Sequence, residues 1–383
     1  MINEVPSLRI SKDINFLGIE ELAQRLHEVE NAKLQIPNKL SYSGGFGMEG
    51  AALQYVATWL RQSQSHVIHT SIQELRDKSF ESLCNSLFGL CTLRLSDSIL
   101  LANKTTVDMP TALRAAIPIL HDIRSENFSA AFKGMYLALP AIKSPIVEGG
   151  KDREFDTPLY NGNHVVGQRR FRQLTAKALS AMAPDASKLD EETISHLSEI
   201  LRELFNNTHK HARTDADGNP QNKNFRGIIF NSISLSASRL DEISKSGGAN
   251  LTLFLGDWRP EGKRLFRALD VTVVDSGPGY ARRWTGKNQE QIAIEEERSA
   301  ITECFKKHRS TSATDSSGSG LSNVLADLKA LRGWFRLRTG RTLVEKSFFN
   351  HSGASTIEFS DVKEQQEFLE GVVFNVVIPF KSL

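Results

Sequence analysis

Apolar residues change their spacing several times along this chain. In the first 150 residues short extended runs alternate with helical ones, as in KLQIPNKL, AALQYVATWLRQ, HVIHTSI and FESLCNSLFGLCTLRL. Alternation of periods near 2 and 3.6 predicts an α/β or α+β layer. TALRAAIPILHDI and SAAFKGMYLAL then carry helical spacing. A stretch of mixed charge and turn formers, IVEGGKDREFDTPLYNGNH at residues 146–164, predicts a domain boundary. Helical spacing resumes in FRQLTAKALSAM and ETISHLSEILRELFNNTHKHA. Beyond it, RGIIFNSISLSA, NLTLFLGDW and LFRALDVTVVD are rich in β-branched and aromatic residues and read as strands. The pattern predicts an α+β chain with an α/β domain at 1–150, a connecting helical segment at 151–184 and a second domain at 185–383.

Composition narrows the class of function. A chain of 383 residues, 40% hydrophobic and 24% charged, has material for two ordinary globular cores. A net charge of +2 gives no bulk attraction for polyanions, so nucleic acid is not indicated as a partner. The three cysteines, Cys84, Cys91 and Cys304, form no C-x-x-C pair, which fits reduced thiols in the cytoplasm. The opening MINEVPSLRISKDINFLGIEEL is broken by acids, and no later stretch is long and apolar enough to span a membrane.

SGGFGMEGAALQYVATWL, residues 43–60, carries the spacing G-x-G-x-x-G at Gly45, Gly47 and Gly50. A dinucleotide fingerprint needs a buried strand running into the first glycine. Pro37 breaks that run, and Asn38, Lys39, Ser41, Tyr42 and Ser43 are polar where the strand would be buried. These glycines therefore read as a turn capping a packed helix.

Three pieces of the C-terminal half carry chemistry. ELFNNTHKHA, residues 203–212, ends a helix whose apolar face is Ile194, Leu197, Ile200, Leu201, Leu204 and Phe205, while Glu203, Asn207, Lys210 and His211 share a second stripe. That stripe offers a carboxylate base, an amide oxygen for a hard cation such as Mg²⁺ and two donors for phosphate oxygens. In LDVTVVDSGPGYA, residues 269–281, a strand ends at Asp275 in a turn containing Gly277 and Gly279. A carboxylate held there can accept from an exocyclic amine, and the glycines let backbone lie against a flat ring. In SSGSGLSNVLADLKALRG, residues 316–333, Gly318, Ser319, Gly320 and Leu321 open a helix whose N-terminal amides can receive phosphate.

In this order the three motifs resemble the ATP-binding domain shared by DNA gyrase, the ATP-driven heat-shock chaperones, sensor histidine kinases and mismatch-repair ATPases, the GHKL superfamily, over residues 185–383. The resemblance implies a two-layer α/β sandwich with a mixed sheet, closed by WFRLRTG and GVVFNVVIPF. It implies that Asp275 reads the adenine amine and that Asn207 holds Mg²⁺ against the phosphates of ATP. It further implies that Gly277, Gly279, Lys210, His211 and residues 318–321 contact nucleotide, with Glu203 as the catalytic base that positions or deprotonates water. The segment 280–317 would be the lid, with a helical part in AIEEERSAITECFKKH.

The chain departs from the family at Gly371-Val372, where many relatives have Gly-Thr, and Thr356 is the candidate substitute. RTDADGNPQNKNF and ASRLDEISKSGGAN are longer than a minimal kinase domain needs and read as surface insertions. A phosphoacceptor histidine is missing from the expected place: His196 shares a helix with Glu203, and His164 lies among turn formers. Two activities remain. In one, Mg-ATP is hydrolysed or its phosphoryl group is passed to a protein partner; in the other, lid closure switches partner binding by the N-terminal domain, as in the family's dimeric clamps, for which a homodimer is the natural assembly.

Overall fold

The computed structural model describes residues 6–380 except 43–44, 133, 145–152, 155–156, 183–185, 247, 263, 307–319 and 350–355. The chain runs β1 (Ser7–Arg9), α1 (Phe16–His27), β2 (Lys33–Ile36), α2 (Met48–Gln62), β3 (Val67–Thr70), α3 (Lys78–Cys84), α4 (Leu87–Leu95), β4 (Ser98–Leu100) and β5 (Thr106–Asp108). It continues through α5 (Met109–Ala112), α6 (Ile117–Arg124), α7 (Phe128–Ala131), β6 (Tyr136–Ser144), β7 (Arg153–Glu154), β8 (Tyr160–Asn161) and β9 (His164–Val165). The remainder is α8 (Gln168–Ala181), α9 (Glu191–His211), β10 (Asn224–Leu235), α10 (Ala237–Ser246), α11 (Ala249–Asp257), β11 (Phe266–Asp275), α12 (Tyr280–Thr285), α13 (Ile294–Cys304), α14 (Gly320–Ala330), β12 (Trp334–Ser347) and β13 (Val362–Pro379).

The fold is mixed α/β. Strands β1 to β5 form one mixed sheet, parallel from β1 to β4 with β5 antiparallel at its edge. The larger sheet has the order β12-β13-β11-β10-β6-β7, and every pairing in it is antiparallel. The mixed sheet expected in the C-terminal half is thus in the N-terminal part instead. The reason lies in the connections: α10 and α11 return the chain beside β10 against its direction, so no parallel crossover is made there.

Two local expectations change. NLTLFLGDW, read as a strand, is α11, because Leu251, Phe254 and Leu255 recur at helical spacing and bury one face. SAAFKGMYLAL, read as helical, is the short α7 followed by β6, with Gly134 at φ +87° between them. Residues 136–143 of β6 pair with 224–231 of β10, so the large sheet takes a strand from the N-terminal side of residue 150. The main apolar core likewise runs from Leu8 to Ile378. The excursion ASRLDEISKSGGAN forms α10 and the start of α11, which cover a second apolar cluster around Phe46, Phe254 and Trp334.

Alternation along the strands gives the large sheet two covered faces. On one, α9 packs through Leu197, Ile200, Leu201, Leu204 and Phe205, all buried. Each such side chain contributes on the order of 2 kcal/mol relative to exposure, which offsets much of the cost of ordering the helix. Asp190 caps it, accepting from the Thr193 amide at 2.7 Å. On the other face α2 is buried from Met48 to Leu60. The glycines of the G-x-G-x-x-G stretch explain that closeness. A Cβ on Gly50 would lie 2.8 Å from Thr272 Cγ2 and 2.9 Å from Val373 Cγ1, and one on Gly47, at φ +74°, would lie 2.8 Å from Asn375.

The α2 side of the sheet also holds charge. Glu49 accepts from the Phe88 amide at 2.8 Å and from Tyr136 Oη at 2.9 Å, and burial pushes its carboxyl up to about 7. Asp270 accepts from Tyr42 Oη at 2.6 Å and from Asn375, and burial raises it to about 6. Arg336 and Glu345 pair at 2.6 Å with both side chains buried.

Two outcomes follow from this packing. Gly50→Val overfills the α2–sheet contact and should lower stability by about 1–3 kcal/mol in chemical denaturation; an unchanged midpoint would contradict the contact. Glu49 binds its proton more tightly folded than unfolded, so its contribution to stability is full below about pH 4.5 and lost as pH rises to about 7. Glu49→Gln, always neutral, should therefore be more stable than the parent at pH 8 by on the order of 1–3 kcal/mol, with the difference closing toward pH 4.5. Thermal unfolding at both pH values checks this, and equal differences at the two would refute it.

Candidate functional site

A cavity of about 270 Å³ opens between α9, the end of β11, α12 and the start of α14. Glu203, Asn207, Lys210 and His211 line it from α9, where helical spacing stacks them on one stripe. Asp275, Gly277 and Gly279 line it from the turn after β11, and Gly320 and Leu321 from the first turn of α14. Segments separated by more than 40 residues in sequence thus meet in one hollow; Gly318 and Ser319 lie outside the described residues.

The floor of the cavity is the strand end. Asp275 is 4% exposed, and its Oδ1 accepts from the Gly277 amide at 2.9 Å. Burial pushes its carboxyl up to about 7, against the lowering effects of that bond and of the Arg226 charge. Arg226 faces it directly in the β10–β11 register, so both side chains stand on the α9 side of the sheet. A Cβ on Gly277 would lie 2.6 Å from Ala212 Cα, which packs the turn against the end of α9. Gly279 has φ +81°, and a Cβ there would lie 2.8 Å from Thr339 Oγ1. That hydroxyl accepts from the Tyr280 amide at 3.2 Å and fixes the entry into α12.

Opposite the turn, the start of α14 lies against the α9 stripe. A Cβ on Gly320 would be 2.9 Å from Glu203 Oε2, so the helix begins close to that carboxylate, which would have to turn aside for a side chain at this position. Glu203 also accepts from Arg202. Other lining residues had no individual role assigned from the sequence: Arg202 and Arg283 add positive charge, Tyr280 and Trp284 form an aromatic wall, and Phe374 joins Val372 in supplying apolar surface from β13. Tyr280 and Trp284 are one helical turn apart directly after the glycine turn, a spacing that pointed to a shared face. Cys304 also lines the cavity, its thiol pushed up to about 12 by burial and by Glu303.

Thr356, the candidate for the water-holding threonine, is not among the lining residues. It is exposed, its carbonyl accepts from Lys346 Nζ at 2.6 Å, and the cavity has Val372 at the position in question. His196 pairs instead with Asp327 of α14 at 2.8 Å, tying α9 to α14.

A two-residue bulge shapes the rim. In the β12–β13 ladder Thr339 pairs with Val372 but Gly340 with Leu369, so Glu370 and Gly371 stand outside the register. Gly371 has φ +81°, and a Cβ on it would fall 2.0 Å from the Asp275 carbonyl oxygen. The Glu370 carboxylate accepts from Arg282 of α12 at 2.9 Å. From the far side, Gln54 of α2 donates to the carbonyls of Gly371 at 3.2 Å and Arg338 at 3.1 Å, and Thr58 accepts from the Glu370 amide at 3.0 Å.

The lining brings anionic, cationic and aromatic groups together in one hollow. Asp275 presents an acceptor beside an aromatic and apolar wall, while Lys210, Arg202 and Arg283 provide cationic donors and His211 an imidazole beside the α14 N-terminus. Among the described residues no group of three or more His, Cys, Asp or Glu side chains could hold a metal by itself. The Asn207 amide oxygen, which lines the cavity, is a neutral acceptor of the kind a hard cation could use. No helix among the described residues is long and apolar enough to cross a membrane. No protein-family model matches the chain, and no curated protein matches it.

Proposed function

We propose that the cavity binds Mg-ATP in the manner of a GHKL-type, Bergerat-fold domain and that the protein is an ATP-using regulator, either hydrolysing the nucleotide or passing its γ-phosphoryl group to a protein partner. The observation that carries this reading is the meeting of the Glu203–His211 stripe, the Asp275–Gly279 turn and the Gly320 helix start around one hollow. Asp275 takes the exocyclic amine of adenine, and Tyr280 with Trp284 faces the ring. When bound, Mg²⁺ neutralises charge between the phosphates. Asn207 offers the amide oxygen for it, Lys210 and His211 reach phosphate oxygens, and Glu203 positions and deprotonates the attacking group.

A second reading has its own support. The bulge at Glu370 and Gly371 is bonded on one side to the rim of the cavity, through Arg282, and on the other to α2, through Gln54 and Thr58. An ATP-gated switch, in which nucleotide occupancy shifts the N-terminal part and a partner it binds, uses that connection.

Purified protein incubated with γ-labelled Mg-ATP separates the two. Label on protein supports transfer; free phosphate supports hydrolysis; binding with neither supports the switch. Asn207→Ala should weaken Mg-dependent ATP binding by about tenfold or more, as loss of a charge-bound ligand costs roughly 1.5–3 kcal/mol. Glu203→Gln should keep binding and slow turnover by about 10²–10⁴-fold. Parent-like turnover in Glu203→Gln would remove its role, and failure of the parent to bind Mg-ATP would end the nucleotide reading.

A further inference from the structure

Arg226 belongs to no motif of the sequence and does not line the cavity. It is nonetheless fully buried, and β10 sets it directly opposite Asp275. A guanidinium in a strand interior is costly to desolvate unless it is held by hydrogen bonds and opposite charge. Both are present. Arg226 Nη1 donates to Tyr160 Oη at 2.7 Å, the guanidinium carbon lies 5.6 Å from the centre of the Tyr160 ring, and Asp275 supplies the charge. Tyr160, from the β8–β9 hairpin, is itself fixed by His209 Nδ1 at 3.1 Å and by its edge-on contact with Phe205. The hairpin, α9 and β10 thus clamp the cation behind the carboxylate.

We propose that Arg226, held in place by Tyr160, is a positioning residue that keeps Asp275 an ionised acceptor and so makes the site select a 6-amino-purine nucleotide over a 6-oxo-purine one. This rests on the nucleotide reading given above. A carboxylate accepts strongly from an N–H donor and repels a carbonyl oxygen, whereas the neutral acid can donate to that oxygen. The protonation state of Asp275 is therefore a choice of base. Other ionisable groups around the cavity are Glu203, Lys210 and His211 from α9, Arg202 beside them, Tyr280 and Arg283 from α12, and Cys304 from α13. Of the charged groups, Arg226 is the one that acts on Asp275, and it opposes the effect of burial, which alone would protonate the acid. The carboxyl, raised to about 7, loses its proton as pH rises, so amine recognition is present above that pH and fades below it.

The test is binding of Mg-ATP and Mg-ITP, which differ at the purine 6-position, to the full chain between pH 5.5 and 8.5. The parent should prefer ATP at pH 8 and lose that preference as pH falls through about 7. Arg226→Met should move the midpoint of this profile up by at least about one unit, cutting the ATP preference at pH 7.5 by about tenfold, while Arg226→Lys keeps most of it. Tyr160→Phe keeps the ring but removes the hydroxyl's bonds to Arg226 and His209, and should shift the midpoint in the same direction by less; it decides the matter if Arg226→Met does not fold. Variants that bind ATP with the parent's midpoint and the parent's ATP-to-ITP ratio would overturn the role of Arg226. A parent that binds neither nucleotide at any pH would instead sink the underlying reading.

Discussion

One irregularity in a strand governs the candidate site. Because Glu370 and Gly371 are extra residues in β13, the backbone swings against the Asp275 carbonyl with no room for a Cβ. A regular ladder would leave no such approach, and the end of β11 would not be held at that angle. The bulge also frees polar backbone groups in a buried place, where leaving one unmet costs on the order of 1–3 kcal/mol. Gln54 and Thr58 of α2 meet them. The pocket side and the N-terminal side of the molecule are therefore bound by one set of hydrogen bonds.

This accounts for features that are otherwise odd. A helix with an amide and a hydroxyl in its buried stripe is costly without partners, and the bulge supplies them to the Gln54 amide nitrogen and the Thr58 hydroxyl. Gly47 and Gly50 bring α2 close enough for those bonds to form. Below them Glu49 and Asp270 are carboxyls in a low-dielectric layer, each raised by burial and each met by a tyrosine hydroxyl. The same logic recurs on the pocket side, where Asp275 is buried and Arg226 opposes its protonation.

Much of the site could be read from residue spacing, since helical periodicity alone places Glu203, Asn207, Lys210 and His211 together, and a glycine turn after an apolar run marks a strand end. The polar stripe and the turn did meet. What could not be read was anything set by pairing between distant segments. Arg226 looks like an ordinary charged residue at the start of a strand; only the register with β11 reveals its partner. Tyr160 sits among turn formers, and nothing local says that its hydroxyl meets Arg226. The covering of the second sheet face by α2 was hidden for the same reason, although the glycines that permit it stood out. NLTLFLGDW went astray because a short apolar run satisfies both periods, and tertiary burial of Leu251, Phe254 and Leu255 decides between them.

The central claim is that these separated segments form a single nucleotide site. It is tested most directly by a crystal structure with Mg²⁺ and a non-hydrolysable ATP analogue. The adenine amine should lie within hydrogen-bond distance of Asp275, the metal on Asn207 and the phosphates beside Lys210 and the first turn of α14. Nucleotide bound elsewhere on the molecule, or a cavity left empty at saturating analogue, would contradict it.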